Sequence, residues 1–81
     1  MKKTVLVRYF AILREQRGLG EERLETAAAT AGELYRELQG RHPLTLAAER
    51  LRVAINDAFE PWGAPIKDGD AVVFIPPVAG G

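Results

Sequence analysis

The chain of 81 residues is long enough for one small domain, and its 47% hydrophobic and 27% charged residues are ordinary proportions for a globular protein. Eleven basic residues balance eleven acidic ones, so the composition favours neither a nucleic-acid partner nor an anionic membrane. With no cysteine, no serine and one histidine, the sequence excludes disulfides, thiolate metal sites and the usual nucleophilic triads.

Membrane and targeting segments are not predicted either. No apolar run approaches the ~20 residues that a membrane-spanning helix needs, and the N-terminus resembles a strand more than a cleavable signal. We therefore expect a cytoplasmic protein with no bound cofactor or metal. His42, which precedes Pro43 in a loop, is expected to be solvated, because a lone imidazole makes no metal site.

The first predicted strand covers residues 3–9. Its alternation places three residues on the buried face, Val5, Val7 and Tyr9. Arg8 is most easily hydrated on the opposite face. Phe10 continues that face, so we expect an exposed aromatic side chain there.

A short helical turn and an edge strand follow. Residues 11–17 predict the turn, with Ile12 and Leu13 pointing inward and Gly18 ending it. Residues 22–26 carry charge at nearly every position, which is typical of an edge strand that resists mispairing. The two strands therefore form a hairpin.

The main helix is predicted to begin at Thr30. Thr30 and Glu33 fit a capping box, in which the threonine oxygen accepts a backbone N–H and the glutamate reaches back to the cap. Gly40 is placed to end the helix. The inward stripe has helical spacing and consists of Leu34, Tyr35 and Leu38.

The second half predicts three more strands. Residues 43–50 give a mixed signal, a loop or short helix, and residues 51–55 alternate as a strand with Leu51, Val53 and Ile55 buried. Asn56 and Asp57 form a tight turn into a short strand at residues 58–61, and Trp62 either covers the core or stands exposed. A turn at residues 67–70 leads into the last strand at residues 71–75.

The C-terminal residues carry the functional signal. The last strand stops at Pro76, which has no backbone N–H, and Pro76 and Pro77 favour a semi-rigid extended arm. Gly80 and Gly81 have no side chains, so such a terminus fits a narrow channel. The Gly81 carboxylate is then the group delivered. It is a poor electrophile, so chemistry on it needs prior activation, for instance as an acyl adenylate.

The chain resembles the small subunit of molybdopterin synthase (MoaD type), a family of ubiquitin-like sulfur carriers. The resemblance is most specific in residues 68–81, DGDAVVFIPPVAGG, and extends to residues 7–15, VRYFAILRE. It implies an α+β fold of the β-grasp type, a mixed sheet of about five strands packed on one main helix. Residues 1–75 would form the domain and residues 76–81 a flexible tail. The first and last strands would be central neighbours.

The resemblance also implies a function. An activating enzyme of the ubiquitin-activating type would adenylate Gly81 with ATP, and a sulfur donor enzyme would convert the adenylate to a thiocarboxylate. Docked on the large synthase subunit in a heterotetramer, the carrier would give its sulfur to cyclic pyranopterin monophosphate, forming the dithiolene that binds molybdenum. The chain itself would supply no general acid or base, so whether it counts as an enzyme depends on the complex.

Partner contacts are likewise implied by the resemblance. Positions matching Phe10, Phe59 and Ile75 contact the large subunit and the activating enzyme in that family, and Arg14 matches a contact position at the rim. The tail would insert into the partner through its stem, which consists of Pro76, Pro77, Val78 and Ala79. From the sequence alone, the alternative that one or more of the apolar side chains packs in the core stays open.

Two other functions share the diglycine. One is a sulfur carrier of another pathway, such as thiamine or cysteine synthesis, against which the Pro-Pro-Val-Ala stem argues. The other is a ubiquitin-like modifier that ends joined to a target lysine.

Overall fold

The structure is a computed structural model that describes residues 2–77. Its elements are β1 (Lys3–Tyr9), α1 (Ile12–Arg17), β2 (Glu21–Thr26), α2 (Ala31–Arg41), a 3₁₀ turn (Ala48–Arg50), β3 (Arg52–Ile55), β4 (Ala58–Glu60) and β5 (Ala71–Ile75). Val78, Ala79, Gly80 and Gly81 lie outside the described residues. None of the helices within residues 2–77 is long and apolar enough to cross a membrane.

Five strands form one mixed sheet in the order β2-β1-β5-β3-β4. β1 and β5 are parallel central neighbours, whereas β2 pairs antiparallel with β1 and β3 pairs antiparallel with both β5 and β4. β2 is an edge strand, as its charges indicate. The predicted β-grasp arrangement is therefore confirmed.

The core lies between one face of the sheet and α2. Val5, Val7 and Tyr9 are buried as predicted, and Leu34, Tyr35 and Leu38 meet them from the helix. Trp62 is half-buried: its ring stacks on Phe74 at a centroid distance of 5.9 Å, and Tyr35 lies 5.1 Å from Phe74. Offset and tilted aromatic pairs at such distances are favourable beyond the area they bury. Trp62 thus covers the core.

Helix α2 begins as predicted and ends later than predicted. Thr30 Oγ1 accepts the Glu33 N–H, while the Glu33 carboxylate accepts the N–H of Ala29, one residue before the cap. Gly40 lies inside the helix, so the prediction that it ends α2 is wrong. The helix stops at Arg41 because His42 is extended, with φ −135° and ψ 156°. A residue before proline disfavours helical geometry, and Pro43 follows His42.

Two smaller predictions also need correction. Ile12 is 42% exposed, and only Leu13 of the first turn of α1 points into the core. Successive residues of a helix point in directions about 100° apart, so Ile12 does not share the inward direction of Leu13. The alternation of β3 predicts three buried residues, Leu51, Val53 and Ile55, but Ala54 on the outer face is buried as well, because Phe59 and Val73 flank it.

Candidate functional site

The predicted tail leaves the sheet at its centre. Ile75 ends β5 and pairs with Arg52 of β3, while β1 flanks the other side of β5. At the start of β5, the Ala71 N–H donates to Asn56 Oδ1 at 2.9 Å, and Gly69 adopts the left-handed φ of 89° that the turn requires. Both ends of the strand are therefore fixed, and the chain leaves the sheet from a rigid base.

The outer face of the sheet, away from α2, presents an apolar row near this exit. Phe59, Ala54 and Val73 are register partners across β4, β3 and β5. Ala54 and Val73 are shielded by their neighbours, whereas Phe59 at the end of the row is 65% exposed. Ile75 lies one step further toward the tail on the same face and is half-buried. The alternative that the sequence left open for Phe59, packing in the core, is therefore excluded.

A groove of about 410 Å³ lies between the start of β3, Phe59 and the exit of β5. Its apolar wall consists of Leu51, Phe59, Ile75, Pro76 and Pro77. Glu49, Arg50 and Arg52 supply the polar wall. We call this the exit groove. It joins four of the predicted partner-binding residues in one concave surface.

Two arginines give the exit groove cationic groups. The Arg52 guanidinium lies 5.7 Å from the centroid of the Phe59 ring, within the range of a cation–π contact. Arg50 and Arg52 form no ion pair with any residue between 2 and 77. Their charges are thus available to an acidic group of a partner. Sequence reasoning missed both residues, although the alternation of β3 already placed Arg52 on the outer face.

Phe10 and Arg14 lie on the other side of the exit. Tyr9 is the register partner of Phe74, so Phe10 leaves β1 at the level at which Ile75 ends β5. Phe10 is 49% exposed, as predicted, and Arg14 is exposed with its guanidinium against Gly20. Neither residue lines the exit groove.

A tight turn aims Phe10 outward. Ala11 has φ 53° and ψ −128°, and the Leu13 N–H donates to the Phe10 carbonyl at 3.1 Å. This is the geometry of a type II′ turn, whose first central position favours glycine. The alanine carries local backbone strain, since a Cβ is disfavoured at this φ. Nothing in the sequence pattern indicated this turn.

A polar cluster anchors α1 to the sheet beneath Phe10 and Arg14. Arg17 makes two hydrogen bonds to the Glu22 carboxylate, at 2.8 and 2.7 Å, and the Tyr9 hydroxyl donates to the same carboxylate at 2.7 Å. The Arg17 hydrogen bonds hold the pKa of Glu22 below its usual range, against the effect of burial. Burial and the Glu22 hydrogen bond raise the pKa of Tyr9. The cluster fixes the helix that carries Arg14.

A second link joins α1 to the segment before the exit groove. Gln16 Nε2 donates to Thr45 Oγ1 at 2.8 Å, and the Thr45 N–H donates to Gln16 Oε1 at 3.2 Å. Residues 43–47 continue into the 3₁₀ turn, which carries Glu49 and Arg50. These hydrogen bonds therefore link α1, which carries Arg14, to the segment that leads to Glu49 and Arg50.

The arrangement combines an apolar concave surface with cationic groups, which suits it to binding. No group of three or more metal-ligating His, Cys, Asp or Glu side chains occurs within the described part of the chain. Phe59, Ile75, Pro76 and Pro77 meet in the exit groove, and Phe10 and Arg14 flank it. The predicted reacting residues, Gly80 and Gly81, lie beyond residue 77.

Solved structures of similar proteins share this fold. One, assigned as molybdopterin converting factor subunit 1 from Pyrococcus furiosus, is 30% identical with a TM-score of 0.78, over 94% of this chain and 99% of that chain. SAMP1, a small archaeal modifier protein from Haloferax volcanii, is 26% identical with a TM-score of 0.79, over 96% and 99%. A third is a complex of subunits 1 and 2 of the molybdopterin-converting factor from Helicobacter pylori, 32% identical with a TM-score of 0.64, over 96% and 99%.

Sequence relatives point the same way. Molybdopterin synthase sulfur carrier subunits from Haemophilus influenzae and Mycobacterium tuberculosis are 37% and 38% identical, over 93% and 95% of this chain and 96% of each relative. The model of the ThiS family matches residues 7–81, which include the whole exit groove and the diglycine. The chain belongs to the ThiS family.

Proposed function

We propose that this protein is the sulfur carrier subunit of a molybdopterin synthase. The observation that carries the proposal is its identity of 37% and 38%, over nearly the full length of both chains, to two relatives that bear this name. A carrier needs a reactive C-terminus that projects from a rigid base. The diglycine would supply the first, and β5, which is fixed at both ends, would supply the second. A cytoplasmic location fits this role.

The proposed chemistry takes place at Gly81. Its carboxylate oxygen attacks the α-phosphorus of ATP on an activating enzyme, so that pyrophosphate leaves and an acyl adenylate forms. A sulfur donor enzyme then supplies sulfur to the carbonyl carbon, the bond to AMP breaks, and a thiocarboxylate remains. Two such transfers to cyclic pyranopterin monophosphate make one dithiolene. The partners would supply the acids and bases of each step.

The exit groove and its flanks would dock the carrier. A large subunit that receives the tail must contact the surface from which the tail emerges, and this surface combines exposed Phe59 and Phe10 with Ile75, Pro76 and Pro77. An aromatic anchor beside arginines is a common composition for binding hot spots. Arg14 and Arg52 would pair with acidic groups at the rim.

The absence of cysteine from the sequence gives a direct test. The protein is treated with ATP, an activating enzyme and a sulfur donor, then with a thiol-reactive alkylating probe, and the label is mapped by mass. We expect ATP-dependent label on the C-terminal peptide that contains Gly80 and Gly81, because no thiol competes for the probe.

The matched control lacks Gly81. Its deletion should abolish labelling and sulfur transfer while leaving the unfolding temperature unchanged, since the tail lies beyond the strand that ends at Ile75. An unlabelled parent, with an activating enzyme that works on another carrier, would contradict the proposal. Full activity of the deletion variant would contradict it equally.

The similarity to SAMP1 favours a second candidate, a protein modifier. Activation of Gly81 would then end in an isopeptide bond to a target lysine. Cell extracts would contain conjugates that carry the C-terminal peptide of this chain on other proteins. Their complete absence would remove this candidate, and capture of a large synthase subunit would separate molybdopterin synthesis from other sulfur-transfer pathways.

A further inference from the structure

The three lysines of the chain lie at one end of the molecule, whereas arginines occur at both ends. The protein has eight arginines and three lysines, and the lysines are Lys2, Lys3 and Lys67. Lys3 begins β1, Lys2 precedes it, and Lys67 opens the turn before β5. Because β1 and β5 are parallel, all three lie at the end of the sheet opposite the tail.

Two of the lysines are also tied to that end by hydrogen bonds. Lys3 Nζ donates to the carbonyls of Ala28 and Ile66, at 2.8 and 3.2 Å. The backbone of Lys67 is held by Asp70, whose N–H donates to the Lys67 carbonyl at 3.0 Å and whose carboxylate accepts the Lys67 N–H at 2.8 Å.

At the tail end the cations are guanidinium groups. Arg50 and Arg52 line the exit groove beside Pro76 and Pro77, and Arg14 flanks it. An ammonium group loses its proton with a pKa near 10.4 and becomes a nucleophilic amine, whereas a guanidinium stays protonated throughout the physiological range. Arginine thus gives charge at the exit without a nucleophile.

This matters because the activated C-terminus is an electrophile. A lysine amine that reached the Gly81 acyl adenylate would form a C–N bond to the carbonyl carbon. The C–O bond to AMP would break, AMP would leave, and the ammonium proton would pass to solvent. The product is a stable amide that has no carboxyl group to reactivate. An amine on the same chain within reach of the tail would act at an effective concentration of about millimolar.

Chain length decides which positions are within reach. Residues 78–81 span at most about 14 Å when fully extended. β5 and the two prolines place Pro77 about 20 Å from Ala71, given about 3.3 Å per strand residue and 3.1 Å per polyproline residue. Lys3 lies three strand positions beyond the level of Ala71, about 10 Å further from Pro77, and Lys2 and Lys67 lie at the same end, so an extended lysine side chain does not close the gap. Arg50 and Arg52, in contrast, border the same groove as Pro77.

We propose that the tail end of this carrier is kept free of lysine so that its activated C-terminus is not consumed by its own amines. The proposal rests on the proposed function, since only a carrier or modifier makes its C-terminus electrophilic. It assigns a second role to Arg50 and Arg52: they provide the positive charge of the exit groove in a form that cannot be acylated.

The test uses the full chain prepared with a C-terminal thioester by intein cleavage, which requires no activating enzyme. Arg50→Lys and Arg52→Lys are compared with the parent and with Arg23→Lys. Arg23 is an exposed residue on β2 whose register partner is Leu6, at the level of Ala71. All three substitutions keep the charge. Intact mass reports loss of the thiol from the thioester, and peptide mapping locates the new amide.

We expect the two exit-groove variants to cyclise at least about tenfold faster than the parent and Arg23→Lys, given the effective concentration of a tethered amine. The proposal is overturned if those variants keep the thioester as long as the parent does. Cyclisation of the parent on Lys2, Lys3 or Lys67 would also overturn it. Failure of the proposed function is read separately, as the absence of ATP-dependent label at Gly81.

Discussion

The two faces of β5 differ in their surroundings: alternate residues of the strand point into the core and toward the outer face of the sheet. Val72 and Phe74 point toward α2 and are fully buried, and the Phe74 ring stacks on Trp62 and is tilted against Tyr35. Ile75, on the other face, is half-buried and lines the exit groove. Residues about 3.3 Å apart along the chain therefore pack in the core on one side and line the exit groove, the proposed docking surface, on the other.

A domain of 81 residues thus leaves an outer surface free for the proposed docking without losing its core. Domains of this size bury a smaller fraction of their surface than larger domains do and are marginally stable. In this domain, the face of the sheet that meets α2 carries most of the packing. The middle of the outer face carries the short side chains Ala54 and Val73, and the large side chain Phe59 lies at its edge. The exposed aromatics are thus available for binding because the core does not depend on them.

The largest expected effect is that of Phe74→Ala, which should destabilise the domain by about 3–5 kcal/mol, because it opens a cavity within the aromatic cluster. Urea denaturation followed by circular dichroism measures the change. Ile75→Ala, the matched control on the outer face, should cost less than half as much. Equal costs would show that the two faces contribute alike to folding and would break the comparison.

Glu22→Gln tests the polar cluster at the edge of the buried face. It removes the carboxylate that accepts from Arg17 and Tyr9 and should cost about 1.5–3 kcal/mol at pH 7, the usual value of hydrogen bonds to a charged group. Because the pKa of Glu22 is lowered in the native state, its contribution is complete above the unfolded pKa of about 4.3 and declines as the pH falls through the native value.

The measurement for this variant is urea denaturation of both proteins between pH 7 and pH 3. We expect the difference in unfolding free energy to be constant near neutral pH and to shrink below about pH 4. A difference that stays constant down to pH 3 would mean that the Glu22 charge plays no part. The Tyr9→Phe variant, which keeps the Arg17 hydrogen bonds, should retain most of the pH dependence.

Thr30→Ala should have a smaller effect of about 1 kcal/mol, because it removes the side-chain acceptor of the Glu33 N–H at the start of α2. Thermal unfolding measures the loss. Thr30→Ser keeps the acceptor and should lie near the parent. A loss of about 3 kcal/mol or more would indicate that α2, which packs on the inner face of the sheet, depends on this cap more than on its packing.

Much of the fold followed from local pattern. The alternation of β1 and the spacing of Leu34, Tyr35 and Leu38 each identify a buried face, because every side chain obeys the period of its element. The predictions for Gly40 and Ile12 failed for a related reason: the end of a helix and the inward position of a short turn depend on neighbours. Pro43 ends α2 because it disfavours helical geometry at His42. The presence of a glycine at position 40 does not reveal this effect.

The site could be predicted only in part, because it depends on which residues of neighbouring strands lie opposite each other. The exposure of Phe10 was expected and that of Phe59 was left open. The exit groove also requires Arg52 to lie opposite Ile75 across β3 and β5, and this pairing joins residues 23 positions apart. The Arg17–Glu22–Tyr9 cluster likewise joins three elements. Sequence spacing identifies the faces of single elements, whereas contacts between elements become visible only in the folded molecule.

The smallest expected effect on stability is that of Phe59→Ala, which sharpens the comparison most. The side chain is 65% exposed and touches Arg52, so its removal should cost less than about 1 kcal/mol. Glu60→Ala is the control, since Glu60 is the next residue of β4, is exposed and faces the other side of the sheet.

We expect the affinity for a large synthase subunit, measured by calorimetry, to fall tenfold or more, equivalent to about 1.4 kcal/mol, in Phe59→Ala. Glu60→Ala should bind as the parent does. If Phe59→Ala binds normally, the exit groove is not part of the docking surface, and Phe10 and the tail must carry the interaction.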